Sequence, residues 1–174
     1  SEFQIYHQCI FLLNAGHETT TNLIGNGVLA LLKHPAQLQR LRDDQRLIDA
    51  TVEECLRYEA PVQLGNRTVT AATRIDDVEL EAGTVLTLAI GAANRDPAVF
   101  AEPDAFDITR NPNPHLSFGA GIHTCAGLAV ARLEARIALS RLFERFPRLA
   151  LAGEPQRARR ARFRALERLP VTCL

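Results

Sequence analysis

The sequence predicts a mainly α-helical fold with a small antiparallel β region, on three observations. Apolar stretches with helix-compatible spacing open the chain and return after Ala126. Between them, from Pro61 to Ile90, the texture turns to β-branched residues punctuated by Gly. Proline ends or follows most of the apolar runs. A length of 174 residues favours one domain, and 47% hydrophobic against 23% charged residues supplies a core and excludes a disordered chain.

The first element is a long helix over 5–32, because Lys33 and His34 suit a helix C-terminus and Pro35 lies just beyond. Pro35 is well placed to open a second, short helix carrying Leu38 and Leu41. A third helix is expected over 47–58, stopped by Pro61. Strands are expected at 68–70, 75–80 and 84–90, with Ala82 and Gly83 at a turn. Residues 91–124 are rich in Pro and Gly and lack periodicity, which marks a long irregular segment of the kind that usually carries function. The pattern Leu128, Leu133, Ile137, Leu142 restores a helix over 126–146, ended by Pro147. The arginine-rich tail, 157–168, reads as a solvated face. Residues 1–3 read as a cloning remnant and are set aside.

Twenty basic and twenty acidic side chains cancel, which argues against a nucleic-acid partner. Cys9, Cys55, Cys125 and Cys173 form no CxxC pair, so a disulfide scaffold is excluded and a reducing, cytoplasmic setting is expected. Asn14, His17 and Glu18 interrupt the best apolar run, so no membrane span is expected.

The most informative segment is Phe118-Gly119-Ala120-Gly121-Ile122-His123-Thr124-Cys125-Ala126-Gly127. It sets one cysteine where an irregular loop meets a helix N-terminus, where unpaired N–H groups favour a thiolate, the form a metal ligand takes. The glycines at 119, 121 and 127 permit tight turns and let a flat, wide group approach without meeting a Cβ. Phe118 would shield the sulfur from water. Without further context, a buried, inert cysteine among turn glycines is the usual reading of such a segment.

The pattern FxxGxxxCxG, carried by Phe118, Gly121, Cys125 and Gly127, resembles the haem-binding loop of the cytochrome P450 family. The resemblance implies haem b (iron protoporphyrin IX) as cofactor, with Cys125 as the axial iron ligand and Gly119 within the cofactor-binding loop. His123 is similar to a propionate partner of bacterial members, and Arg67 matches in spacing the arginine that binds a propionate there. Glu54 and Arg57 share a helix face at a three-residue spacing that is more often a surface pair, yet in this context they resemble the family's ExxR helix. Arg110 is the expected third member of their buried network. Ala15, Gly16, Glu18 and Thr19 resemble the oxygen-activation segment, where a small-residue bulge makes room for dioxygen. There Ala15 and Gly16 would line the distal pocket, Thr19 would hydrogen-bond dioxygen held at the haem, and Glu18 would link it to solvent.

The matches run in family order from about residue 5 to 171, as one C-terminal haem-binding portion with the N-terminal half of a family member absent. The implied function is O2-dependent hydroxylation of a small apolar organic substrate, with electrons from a ferredoxin or flavin reductase. The alternative is a non-enzymatic haem-binding or degenerate remnant lacking a substrate pocket. Because the resemblance implies that helix 5–32 is enclosed on most sides in a whole family member, absence of the N-terminal half would expose apolar surface, and self-association or pairing with the missing half is expected.

Overall fold

The computed structural model describes residues 1–173. Helix α1 (Glu2–Lys33) is continuous over 32 residues. The Ser1 hydroxyl accepts the Gln4 amide, and the Gln4 side chain turns back to the Ser1 backbone, a reciprocal cap of two otherwise unpaired donors. The residues set aside in the sequence are thus the first turn of the helix. Pro35, whose missing N–H costs nothing at a helix start, opens α2 (Pro35–Asp43). A single 3₁₀ turn over 45–47 leads into α3 (Ile48–Tyr58).

The β region consists of two-stranded antiparallel pairs. Strand β1 (Leu64–Thr68) pairs with β4 (Val85–Ala89), setting Arg67 opposite Leu86. Between them β2 (Thr73–Ile75) and β3 (Val78–Leu80) form a hairpin. Two expectations shift here. The strand placed at 68–70 lies earlier, and the run 75–80 is split by a turn with Asp76 at φ 50°, a conformation that Asp tolerates better than the neighbouring β-branched residues. After the short α4 (Ile90–Ala93) comes the irregular segment, and then α5 (Leu128–Arg145).

The tail carries four strands where none was expected: β5 (Leu149–Leu151) pairs with β8 (Val171–Cys173), and β6 (Gln156–Arg157) with β7 (Leu166–Arg168). Strands of two or three residues are too short to show alternation. Nor is the arginine run wholly solvated. Arg157 donates to Asn26 Oδ1 at 3.1 Å and to Glu59 Oε2 at 3.0 Å, and Arg164 Nε donates to Glu59 Oε2 at 2.7 Å. These bonds latch the tail onto α1 and the end of α3.

The core lies where the second half of α1 (Leu23, Val28, Leu31), α3 (Val52, Cys55, Leu56) and α5 (Ala135, Leu139, Phe143) meet, closed by Phe106 and Ile108 of the irregular segment. Gly27 permits that meeting: a Cβ there would lie 3.2 Å from Cys55 Sγ and 3.3 Å from Leu139 Cδ1. The first half of α1 instead projects for about 24 Å at 1.5 Å per residue, with Phe3, Tyr6, Ile10 and Leu13 all exposed. Among the described residues, no helix is long and apolar enough to cross a membrane.

Candidate functional site

A cleft of about 560 Å³ opens between α1 and the loop that precedes α5. Ala15, Gly16 and Thr19 line it from α1, Arg67 from β1, and Phe118, Gly119, His123, Cys125 and Gly127 from the loop. Leu12, Leu23, Leu56, Val62, Ile90 and Val130 complete largely apolar walls. Residues more than a hundred positions apart in the sequence therefore face one space.

The cysteine loop is held by its own backbone. The Cys125 amide donates to the Phe118 carbonyl at 2.8 Å and closes the loop into a ring. Gly119 sits at φ +71°, and a Cβ there would lie 2.9 Å from the His123 carbonyl oxygen, so only glycine fits. The helix begins two residues later than its pattern suggests, because Gly127 is the N-cap. Cys125 thus stands in the loop ahead of the first turn, solvent-exposed and with its sulfur on the cleft.

Along α1 the helix is regular through Ala15–Thr20, with no bulge. The Thr19 hydroxyl donates to the Ala15 carbonyl at 2.8 Å, and Thr21 does the same to His17, a pattern that satisfies both hydroxyls without opening the turn. Glu18 is not brought to the cleft. It lines a separate depression on another side of α1, where Arg160 Nη1 donates to its Oε1 at 2.6 Å.

Beneath the cleft lies a buried charged network. Glu54 and Arg57 are fully enclosed and paired twice, Arg57 Nε to Oε2 and Nη2 to Oε1, each at 2.8 Å. Arg57 also donates to the carbonyls of Asn94 (3.0 Å), Pro103 (2.7 Å) and Ala105 (2.8 Å). Glu54 accepts the Asp107 amide at 2.8 Å and Asn113 Nδ2 at 3.1 Å. Arg110 Nε sits 3.3 Å from Glu54 Oε2 as an ion-pair contact without hydrogen-bond alignment, while its Nη1 donates to the Ala101 carbonyl at 2.8 Å. Asn94, fully buried, carries the network toward the cleft: its Oδ1 accepts the Leu116 amide at 2.8 Å and its Nδ2 donates to Ser117 Oγ at 2.9 Å. Sequence reasoning gave Asn94 no specific role, and it passed over Glu53, His115 and Arg132, which form a second charged cluster behind Phe118. No local signal marks that cluster, because Glu53 and Arg132 are 79 residues apart.

The donor set defines what the cleft suits. One soft sulfur on an apolar wall fits a metal that prefers thiolate. Walls free of Cβ at Gly16 and Gly127 accept a flat face, and the cations Arg67 and His123, when protonated, suit anionic substituents at its edge.

Comparison with known proteins agrees with this geometry. The cytochrome P450 family model matches residues 1–161. The biotin biosynthesis cytochrome P450 of Bacillus subtilis is 55% identical over 165 residues, covering 94% of this chain and 42% of that protein. The vitamin D(3) 25-hydroxylase of Pseudonocardia autotrophica is 46% identical, covering 99% of this chain and 44% of the relative. Among solved structures, P450BioI in complex with a hexadec-9Z-enoic acid-ligated acyl carrier protein superposes with a TM-score of 0.93 at 54% identity, over 95% of this chain and 44% of that one. CYP109E1 from Bacillus megaterium in complex with corticosterone gives 0.96 at 36% identity, over 99% and 47%. The chain spans less than half the length of these relatives. With its fold and its cysteine loop both matched, the chain belongs to the cytochrome P450 family.

Proposed function

We propose that this chain is the C-terminal, haem-binding portion of a cytoplasmic monooxygenase that inserts one oxygen atom from O2 into a small apolar organic substrate, drawing electrons from a ferredoxin or flavin reductase. The observation that supports it is the placement of Cys125, Arg67, His123 and Thr19 around one cleft. In this reading haem b occupies the cleft with Cys125 as its thiolate ligand. The bound group supplies oxygen activation, which a thiolate ligand assists by pushing electron density that favours O–O cleavage.

The chain's own residues bind, orient and move protons. Arg67 and His123 hold the propionates by charge-assisted hydrogen bonds. Phe118 keeps water from the sulfur, and Gly16 and Gly127 leave room for the ring faces. The Thr19 hydroxyl, whose proton is directed at the Ala15 carbonyl, rotates to donate into the cleft, while Glu18, ion-paired with Arg160 on another side of α1, takes no part in this step. The apolar substrate class agrees with a relative named for hydroxylating vitamin D(3) and a solved neighbour holding corticosterone.

The test is spectroscopic. Purified chain supplied with hemin is expected to turn red and to give the red-shifted Soret band of a thiolate-ligated carbon monoxide adduct on reduction, and Cys125→Ala is expected to abolish that band. A folded protein that stays colourless with hemin, or a band that survives in the variant, refutes the assignment.

A further inference from the structure

Beside the cysteine loop, Glu53, His115 and Arg132, from separate parts of the fold, form a cluster of which two members pack against the ring of Phe118. Glu53 of α3 takes Arg132 of α5 in a two-pronged grip, Nε to Oε1 and Nη2 to Oε2, both at 2.7 Å. His115 Nε2 lies 3.1 Å from Glu53 Oε2, and its Nδ1 accepts the Ser117 amide at 3.3 Å. With Nδ1 an acceptor, Nε2 carries the proton and donates to Glu53, so a neutral ring satisfies both bonds. The Arg132 guanidinium lies over the Phe118 face, 4.8 Å from its centroid, and the His115 ring packs against it at 6.1 Å. Phe118 in turn accepts the Cys125 amide through its carbonyl at 2.8 Å.

These contacts form an unbroken path from a carboxylate on α3 to the backbone of the cysteine. Burial pushes the Glu53 carboxyl up, but the hydrogen bonds from His115 and Arg132 and the charge of Arg132 outweigh it and hold the group at about 2. The grip is therefore charged under ordinary conditions. An exposed single-pronged pair would contribute little. This one is bidentate, its histidine is almost fully enclosed, and its arginine lies over an aromatic face.

We propose that Glu53 is a positioning residue for the cysteine loop: through Arg132 and His115 it holds the Phe118 ring, and through the Phe118 carbonyl it fixes the Cys125 amide, so that the sulfur is presented at one distance and angle. Only the last step, presentation to iron, rests on the haem reading above. The amide step belongs to the polypeptide alone.

Two measurements test it, using Glu53→Gln, which keeps the shape and removes the charge, and Arg132→Lys, which keeps the charge and removes the planar fork. In the cofactor-free chain, hydrogen exchange at the Cys125 amide is expected to speed up about fivefold in each variant, the size of one cation–π contact, while the core amide of Leu139 stays unchanged. In the double variant the gain is expected to be no larger than in either single, because both break one path. An unmoved Cys125 amide, equal acceleration at Leu139, or additive gains would overturn the proposal. In hemin-loaded chain, the ratio of thiolate- to thiol-ligated carbon monoxide adduct is expected to fall by about the same factor, and an unmoved ratio overturns the presentation step. If the parent chain gives no red-shifted band at all, it is the haem assignment that fails, and the amide exchange still decides the role of Glu53.

Discussion

Arg57 uses every donor it has. Its Nε and one Nη2 proton go to Glu54, the other Nη2 proton goes to the Ala105 carbonyl, and the two Nη1 protons go to the carbonyls of Asn94 and Pro103. A side chain so committed organises the irregular segment around itself, since three carbonyls of that segment converge on one guanidinium. Arg57→Ala leaves the Glu54 charge enclosed with its main counterion gone, and removing one partner of a buried pair costs about 3–5 kcal/mol. Urea denaturation of the apo chain is expected to register a loss of that size. A change below about 1 kcal/mol, the worth of a surface pair, would show that the network is not structural. The three-residue spacing of Glu54 and Arg57 was legible in the sequence, but their enclosure was not: the carbonyls that enclose Arg57 come from positions 37 to 48 residues downstream. Thr19 and Glu18 illustrate the same limit. Adjacent in the chain, they diverge by about 100° around the helix, and only one lines the cleft.

Elements were legible in proportion to their length. Helices α1, α2, α3 and α5 were each delimited by proline or a charged cap, and their bounds differ from expectation by a few residues at most. The tail strands escaped notice because their pairing partners are distant and their alternation too brief, as β5 with β8 shows. Two glycines of α1 separate local preference from packing. At Gly16 nothing lies within 4 Å of the point where a Cβ would stand, so Gly16→Ala in the cofactor-free chain should gain the helix propensity difference of about 1 kcal/mol. At Gly27 the same change meets Cys55 and Leu139, both fully buried and unable to retreat. Overpacking of this kind costs about 1–3 kcal/mol, so Gly27→Ala should lower stability despite the better propensity. Thermal unfolding of the two variants side by side checks the opposite signs, and equal shifts would show that α1 is not clamped at Gly27.

At the scale of the whole molecule, the projecting half of α1 sets the expectation for behaviour in solution. Phe3, Tyr6, Ile10 and Leu13 form one stripe, and Ile5 and Leu12 extend the apolar surface around the helix, with each of the six residues 57 to 71% exposed. Such a surface favours association, with a second copy or with a partner covering the same face. Size-exclusion chromatography is expected to place the chain above its 19.2 kDa monomer mass. Ile10→Glu with Leu13→Glu should return it toward that mass. A parent chain that stays monomeric at every concentration would show that the stripe is tolerated in water.

The latch between the tail and Glu59 also bears on how the polypeptide is made. Glu59 and Asn26 wait for Arg157 and Arg164, which are translated 98 to 138 residues later. A ribosome must therefore add those intervening residues before the carboxylate and the carboxamide find their partners. A message cut short ahead of the Arg157 codon would yield a product with its helices written and its fastening missing, a natural substrate for chaperones and proteases.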